Sequence, residues 1–409
     1  MKREVLSAVS VVLLAAAMPA HAQNLPDEYL AVSGRGAEAI VLEDAGVEAA
    51  PSGLPQIRET FEDGGFLRLY GHVNMGLLFV DDGIDGEAYF PLDNANSVTR
   101  LGLHLERPLT EDWLFSSRLE VGYAPYGSFG VNQIDSEPDW EFNEDNIRHI
   151  DVNVTSERYG AVSAGQGPMA FAGVMFVDFS DTGVIAASAP ADSAGAQFIR
   201  LTNPMAAIDA GPTVGAAYDN FDGNRRVRIR YDTPRFHGLH ASAAYGRNLL
   251  TTNSDEHEED LFDVSLTYGD ELGDFRVGAA AGYYWNSFDR EAFGGSAAAL
   301  HGPTGLSLNL AAGGLDRDGG RDSAYGYVKL GLTRDPFDFG RSAVSLDYYI
   351  GDDIAASGSD SMSVGFAAVQ FVDSINSEFW FTYRLYDYDE SSRDFEDLHA
   401  VFGGVRFRF

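Results

Sequence analysis

The sequence predicts an all-β protein, a transmembrane antiparallel β-barrel of about 16 strands. Three observations predict this fold class. The chain begins with an export signal, its body alternates apolar and polar residues over long segments, and it ends in a phenylalanine on such a segment.

Residues 1–22 have the pattern of a cleaved signal peptide. Lys2 and Arg3 supply the positive start, residues 5–17 are almost wholly apolar, and Ala20 and Ala22 flank His21 in a small-x-small cleavage pattern. The alternative is an uncleaved membrane anchor. The apolar run is shorter than the roughly 20 residues that a spanning helix needs, so we expect export and cleavage.

Residues 23–63 differ in composition from the rest of the exported chain. They are acidic, show no clear period, and contain Pro26, Pro51 and Pro55. This composition predicts a loosely packed N-terminal segment in the periplasm, with a short helix over residues 36–47 as an option. The barrel is expected over residues 64–409.

From Phe66 onward the chain alternates with a period of two. The first segment places Leu67, Val73 and Leu77 on one face, and Arg68 and His72 on the other. The same alternation returns at residues 101–106, 113–123, 226–231, 379–386 and 401–409. Strict alternation repeated in this way is a strong strand signal.

The length and polarity of these segments favour a barrel over a soluble sandwich. Most run for roughly 9–13 residues, near the length of a tilted membrane strand, whereas sandwich strands usually have about 5–6. Arg226, Arg228 and Arg230 share one face, which would be costly in a dry core but not in a wet lumen. Short and long connections also alternate, although an ordinary β-meander with uneven loops remains an alternative.

Composition excludes several function classes. The chain has no cysteine, so it holds no disulfide and no cysteine zinc site. Its net charge of -34 argues against a nucleic-acid partner. An outer-membrane phospholipase or protease would need a Ser–His constellation, but the nine histidines are scattered and no Gly-x-Ser-x-Gly occurs.

Four segments carry a resemblance to a known family: residues 66–76, 97–103, 158–165 and 226–234. With the C-terminal Phe409, they resemble Gram-negative general diffusion porins, in particular the Rhodobacter-like and other proteobacterial members. The likeness covers residues 66–409, and the N-terminal segment departs from it. It implies an outer-membrane homotrimer in contact with lipid and lipopolysaccharide, through which small polar solutes diffuse passively.

The resemblance also implies a constriction. Porins of this kind fold a long third loop into the lumen, which here falls within residues 166–196 and carries Asp178, Asp181 and Asp192. Alternation places arginines on the facing wall, namely Arg68, Arg100, Arg118, Arg226, Arg228 and Arg230. Opposite charges across a wet gap would create a transverse field that selects solutes. The alternative for each arginine is a bracing pair with a neighbouring carboxylate.

Other interpretations stay open. The arginine row would also suit a selective channel for anions or sugars, and a soluble periplasmic binding protein or adhesin would share the bulk composition. The acidic runs at residues 135–145 and 255–260 are either solvated loops or sites where Ca²⁺ bridges to lipopolysaccharide. No other cofactor is expected.

Overall fold

The computed structural model describes residues 57–251, 259–317 and 320–409. The signal peptide and the helix considered at residues 36–47 lie outside these ranges. The described strands are β1 (Ile57–Thr60), β2 (Phe66–Asp81), β3 (Gly86–Asp93), β4 (Arg100–Pro108), β5 (Leu114–Gly122), β6 (Ile147–Ser156), β7 (Gly160–Pro168), β8 (Arg225–Asp232), β9 (Leu239–Arg247), β10 (Asp260–Leu272), β11 (Phe275–Asn286), β12 (Arg290–His301), β13 (Leu306–Arg317), β14 (Ser323–Phe337), β15 (Gly340–Asp352), β16 (Ser359–Val372), β17 (Ser377–Glu390) and β18 (Leu398–Arg408).

The sheet closes on itself through the first and last long strands. β18 pairs antiparallel with β2, with Arg406 opposite Asn74. β1 and β3 pair with β2 alone, so the other sixteen described strands form the barrel. The predicted closed antiparallel barrel of about 16 strands is therefore confirmed.

The end of the N-terminal segment is more ordered than we expected. Ile57–Thr60 pairs with β2, Ile57 opposite Leu69 and Thr60 opposite Phe66. The cause is the length of β2, which extends beyond the last residue that β18 can pair and would otherwise leave backbone groups unpaired at an edge. The boundary placed between residues 63 and 64 thus falls inside the β1–β2 turn.

The two faces of the strands are those that alternation predicts. Outward positions such as Leu77, Phe79, Leu101 and Leu119 are exposed, while alternate positions are buried or half-buried. An exposed apolar row on every side of a closed sheet is typical of a barrel that meets hydrocarbon. Within the described ranges, no helix is both long enough and apolar enough to cross a membrane.

Connections at one rim are short and those at the other are long, as the sequence predicts. The β6–β7, β10–β11 and β14–β15 connections need only a few residues. The opposite rim carries the β5–β6 connection and the β7–β8 connection, residues 169–224. The long connections mark the extracellular rim of outer-membrane barrels.

Small inner side chains on β11–β13 leave room for residues 169–224. Gly282 faces Phe171, and a Cβ there would come within 2.7 Å of the ring. Gly294 and Gly313 face Met175 in the same way. The glycines therefore let a chain segment pack directly against the inner surface of the sheet.

Candidate functional site

The β7–β8 connection follows the inner wall strand by strand. Its first part is held by Asp263 of β10, whose carboxylate accepts the backbone N–H groups of Ala170, at 3.1 Å, and Phe171, at 2.8 Å. Ser296 of β12 then accepts the N–H of Val177 at 2.9 Å. These are inward positions of the wall, so the connection lies against the inside of the barrel.

Two further wall contacts extend this path. Asn309 of β13 accepts the N–H of Phe179 at 2.9 Å, and the hydroxyl of Ser345 on β15 lies 2.8 Å from the hydroxyl of Thr182. Later, Tyr386 of β17 donates to the carbonyl of Pro190 at 2.6 Å. The connection is thus tied to the wall from β10 round to β17.

Lys329 of β14 is the most deeply buried cation along this path. Only 1% of its side chain is exposed; the ammonium pairs with Asp178 and donates to the carbonyl of Ala186 at 2.5 Å. One cation therefore holds two points of the connection that lie eight residues apart in sequence. A buried ion pair of this kind fixes geometry, because losing one partner leaves the other charge uncompensated.

Two arginines of β8 bind backbone carbonyls at the end of β7 and at the first residue of the connection. Arg228 donates to the carbonyls of Pro168 and Gly165 at 3.0 and 2.8 Å, and Arg230 donates to that of Met169 at 2.8 Å. Their carboxylate partners are close by: Arg226 pairs with Glu259 at 2.9 Å, Arg228 with Asp151 at 2.8 Å, and Arg230 with Asp232 at 2.8 Å.

The transverse field predicted between the loop aspartates and the wall arginines stays a prediction, although two of these aspartates have cationic partners nearer than the β8 row. Asp178 is engaged with Lys329, and Asp181 pairs with Arg341 at 3.1 Å on an exposed surface. Asp192 is 2% exposed. Asp178 and Asp181 therefore contact β14 and β15 instead of β8. Burial makes a close partner necessary for Asp178, whereas the Asp181 pair is exposed.

A second group of basic side chains lies on the inner face of strands that do not contact the β7–β8 connection in the ways described above. We call it the arginine wall: the inner face of β2, β4, β5, β6 and β18. Its six arginines are Arg68, Arg100, Arg118, Arg148, Arg406 and Arg408. It includes all three predicted arginines that are not on β8. The same face carries three carboxylates, those of Glu106, Glu120 and Asp151.

Carboxylates in the arginine wall are shared. Glu120 is fully buried, lies 2.5 Å from Arg148 and 3.7 Å from Arg100, and accepts the hydroxyl of Tyr70 at 2.7 Å. Arg148 reaches this face because the β5–β6 register shifts beside Glu120. This bulge explains why strict alternation did not identify Arg148.

Glu378 of β17 is shared at the neighbouring edge of the arginine wall. It accepts from Arg406 at 2.6 Å and also pairs with Arg408. Arg406 in turn donates to Ser97 at 2.8 Å. Even with Glu378 counted, the arginine wall holds more guanidiniums than carboxylates.

A cavity of about 670 Å³ opens between residues 189–224 and the ends of β8 and β10–β13 on the long-connection side. We call it the vestibule. Arg226, Arg290 and Arg317 contribute positive charge to its lining, and Asp219 and Asp222 line it from the connection. Burial raises the pKa of Asp222 well above its usual range, although N–H groups, including that of Gly173, oppose this.

Aromatic residues of the long strands divide between the two faces of the sheet. Tyr348, Phe381 and Tyr383 point outward and are exposed. Tyr284 and Tyr349 point inward, Tyr284 into the vestibule and Tyr349 into the apolar packing under the connection. Adjacent positions on a strand must face opposite sides, so only one residue of each adjacent pair, Tyr283–Tyr284 and Tyr348–Tyr349, can face lipid.

The binding of Ca²⁺ by the acidic runs at residues 135–145 and 255–260 stays a prediction. Most of residues 255–260 lies outside the described ranges. The described residues contain no group of three or more His, Asp or Glu side chains arranged to hold a metal ion.

The closed barrel, the exposed apolar belt and a charged, partly filled lumen define an outer-membrane channel. Comparison with known proteins narrows this class. A family model described as Gram-negative porin matches residues 8–391. The chain therefore belongs to the Gram-negative porin family: it is an outer-membrane channel for passive diffusion of small hydrophilic solutes and ions, and not an enzyme.

Solved structures share the fold at low sequence identity. The anion-selective porin from Comamonas acidovorans is 16% identical, with a TM-score of 0.54 over 84% of this chain and 100% of that one. OmpF from Salmonella typhi, in complex with daunomycin, is 15% identical, with a TM-score of 0.54 over 87% and 100%. In-vitro folded OmpT from Vibrio cholerae is 12% identical, with a TM-score of 0.50 over 85% and 99%. No curated protein sequence matches the chain significantly.

Proposed function

We propose that the arginine wall lines the conducting path of this porin and gives it a preference for anions. The observation that carries this proposal is the charge count on one inner surface: six arginines against four carboxylates, those of Glu106, Glu120, Asp151 and the neighbouring Glu378. The constriction then lies between the arginine wall and the connection that occupies the other part of the lumen.

The sign of the field follows from the local charges and not from the whole chain. The net charge of -34 includes acidic connections outside the lumen, where salt screens them over about 10 Å. Arginine stays protonated at any physiological pH. A narrow aqueous path beside unbalanced guanidiniums concentrates anions and repels cations.

Reversal potentials in a planar bilayer test this proposal. Under a tenfold KCl gradient we expect chloride to permeate better than potassium. Arg118→Gln should lower the chloride-to-potassium permeability ratio roughly fourfold, because one charge about 10 Å from a hydrated ion contributes ~0.4 kcal/mol in water, with opposite sign for the anion and the cation. Arg118→Glu should lower it further.

Arg235→Gln is the matched control, since Arg235 lies exposed in the short β8–β9 connection. It removes the same charge away from the arginine wall and should leave the ratio unchanged. Potassium preference in the unmodified channel would contradict the proposal. So would equal effects of the Arg118 and Arg235 variants.

The alternative is a channel selective for one solute class. Liposome swelling separates the two: a general pore admits neutral sugars at rates that fall smoothly with size, whereas a selective channel favours one sugar out of size order. The anion-selective porin from Comamonas acidovorans has the same barrel fold, so an anion preference is compatible with this architecture.

We also propose that the channel assembles as a homotrimer in contact with lipid and lipopolysaccharide. Family membership and the apolar outer rows of β2, β17 and β18 support this, because such rows suit both lipid and a second barrel. Native mass spectrometry of detergent-extracted protein should give three chains per particle. A monomer under mild extraction would contradict the proposal.

A further inference from the structure

The vestibule has features that simple diffusion does not require. Arg290 begins β12 and Arg317 ends β13, and the two are direct register partners. Both line the vestibule, so they share one face of the sheet. Like charges directly opposite each other destabilise a sheet, and the fold accepts that cost at this position.

A third arginine adds to the positive charge. Arg321, which follows β13, lies within electrostatic range of Arg317, as does Arg290. Arg321 is held by the carbonyls of Asp353 and Ile354 at 2.7 and 2.5 Å. Its position is therefore fixed by neutral carbonyl partners, and no ion pair joins it to a carboxylate in the part of the chain that the structure describes.

Asp219, which also lines the vestibule, lies within electrostatic range of Arg317, but the register pair has no close carboxylate partner among the described residues. Arg317 donates to the carbonyl of Arg321 and to Ser323 at 3.5 and 3.1 Å. No ion pair within 4.0 Å joins Arg290 or Arg317 to a described carboxylate. Glu259, which also lines the vestibule, is taken by Arg226 and by Asn286.

Aromatic rings stand beside the arginine pair. Tyr284 lies within electrostatic range of both Arg290 and Arg317 and lines the vestibule. Phe288 also lines it and is 51% exposed. A flat apolar body would cover these rings, while a carboxylate would take two parallel hydrogen bonds from a guanidinium.

We propose that the vestibule binds small aromatic carboxylates, with the carboxylate on Arg290 and Arg317 and the ring against Tyr284 and Phe288. The cavity of about 670 Å³ holds a single-ring acid with accompanying water. Binding at the extracellular rim raises the local concentration of such solutes before they reach the constriction. This inference rests on the channel function but does not require the arginine wall to favour anions.

Sodium benzoate is the probe, applied from the long-connection side of single channels in a bilayer. Benzoate should reduce the chloride current in a saturable way, whereas acetate, which lacks the ring, and benzyl alcohol, which lacks the charge, should be at least fivefold weaker. The double variant Arg290→Gln/Arg317→Gln should raise the half-blocking benzoate concentration at least tenfold. Tyr284→Leu should raise it less.

Arg334→Gln is the control, because Arg334 lies near the short-connection end of β14. The double variant removes a like-charge contact, so it should still assemble, which heat-modifiable gel migration checks. Equal block by acetate and benzoate would overturn the proposal, as would unchanged block in the double variant. Reversal potentials on the same channels report the arginine wall separately, so one proposal can fail while the other stands.

Discussion

The two parts of the barrel lumen use the same strand geometry in opposite ways. Under the β7–β8 connection, the inner face carries apolar and small side chains such as Ala298, Ala311 and Tyr327, which pack into one core with the connection. On the arginine wall, the equivalent positions carry guanidiniums that share too few carboxylates. Both regions alternate with a period of two, so the difference lies entirely in the inward residues.

The lumen of this porin is therefore not uniformly wet. The dry part supplies the hydrophobic burial that holds a long connection in place, and the connection in turn narrows the part that remains hydrated. Charges in the dry part are few and matched, as in the pairs Lys329–Asp178 and Arg384–Asp347. On the arginine wall, guanidiniums outnumber the carboxylates that pair with them, as Glu120 and Glu378 show.

The largest effect should come from breaking the buried ion pair between Lys329 and Asp178. Lys329→Met leaves Asp178 without its cation, at a cost of about 3 kcal/mol to the docked connection. The connection should then leave the wall for part of the time, so we expect fluctuating single-channel conductance in place of one steady level.

The double variant Lys329→Met/Asp178→Asn removes both charges and should restore much of the steady conductance. Arg341→Gln, which breaks the exposed pair with Asp181, is the matched control and should have little effect. If the control fluctuates as much as Lys329→Met, the buried pair is not what holds the connection.

A smaller effect should follow from filling the space that the glycines leave. In Gly282→Ala the new Cβ would meet both the ring of Phe171 and the carbonyl of Val264 at 2.7 Å. Overpacking of this kind typically costs about 1–3 kcal/mol. Thermal unfolding in detergent should show a lower Tm for this variant.

Gly326→Ala tests whether the effect belongs to the inner face. Gly326 lies on β14, and the nearest atom to its added Cβ is in the side chain of Ile350 at 3.6 Å, an ordinary contact. Its Tm should change little. Equal losses at both glycines would mean that strand propensity, and not contact with the connection, sets the cost.

Features that depend on the local alternation of apolar and polar residues could be predicted from the sequence. The strands, the two faces and the inward positions of Arg68, Arg100 and Arg118 follow from alternation, because neighbouring side chains on a strand must point to opposite sides. Arg148 was missed because a bulge breaks that period. Arg290 and Arg317 were missed because they come together only through strand pairing.

The path of the connection depends on contacts between residues far apart in sequence, such as Asp178 and Lys329. The alternation of apolar and polar residues along a strand carries no information about such contacts. Two signals were nevertheless present. Lys329 is one of only two lysines in the chain, and the runs of glycine and alanine at residues 278–282 and 294–299 recur on neighbouring strands. Together they indicate an inner barrel surface against which another segment of the chain packs.

The smallest effect should be a pH dependence from Asp222. Burial raises the pKa of its carboxyl in the folded chain, while the pKa in the unfolded chain stays at about 3.9. Between these two values the folded state binds more protons than the unfolded state, so stability should fall as pH rises from about 4. Above the pKa of this carboxyl in the folded chain, the loss of stability is complete and no longer changes with pH.

Asp222→Asn keeps an oxygen that can accept the N–H of Gly173 but cannot ionise. The Tm of the unmodified protein minus that of the variant should therefore decline as pH rises above about 4, by at most about 2 °C for a chain of this size. Asp135→Asn, in the exposed β5–β6 connection, is the control and should leave the difference flat. A difference that grows with pH would mean that the charged form of Asp222 is the stabilising one, contrary to its burial.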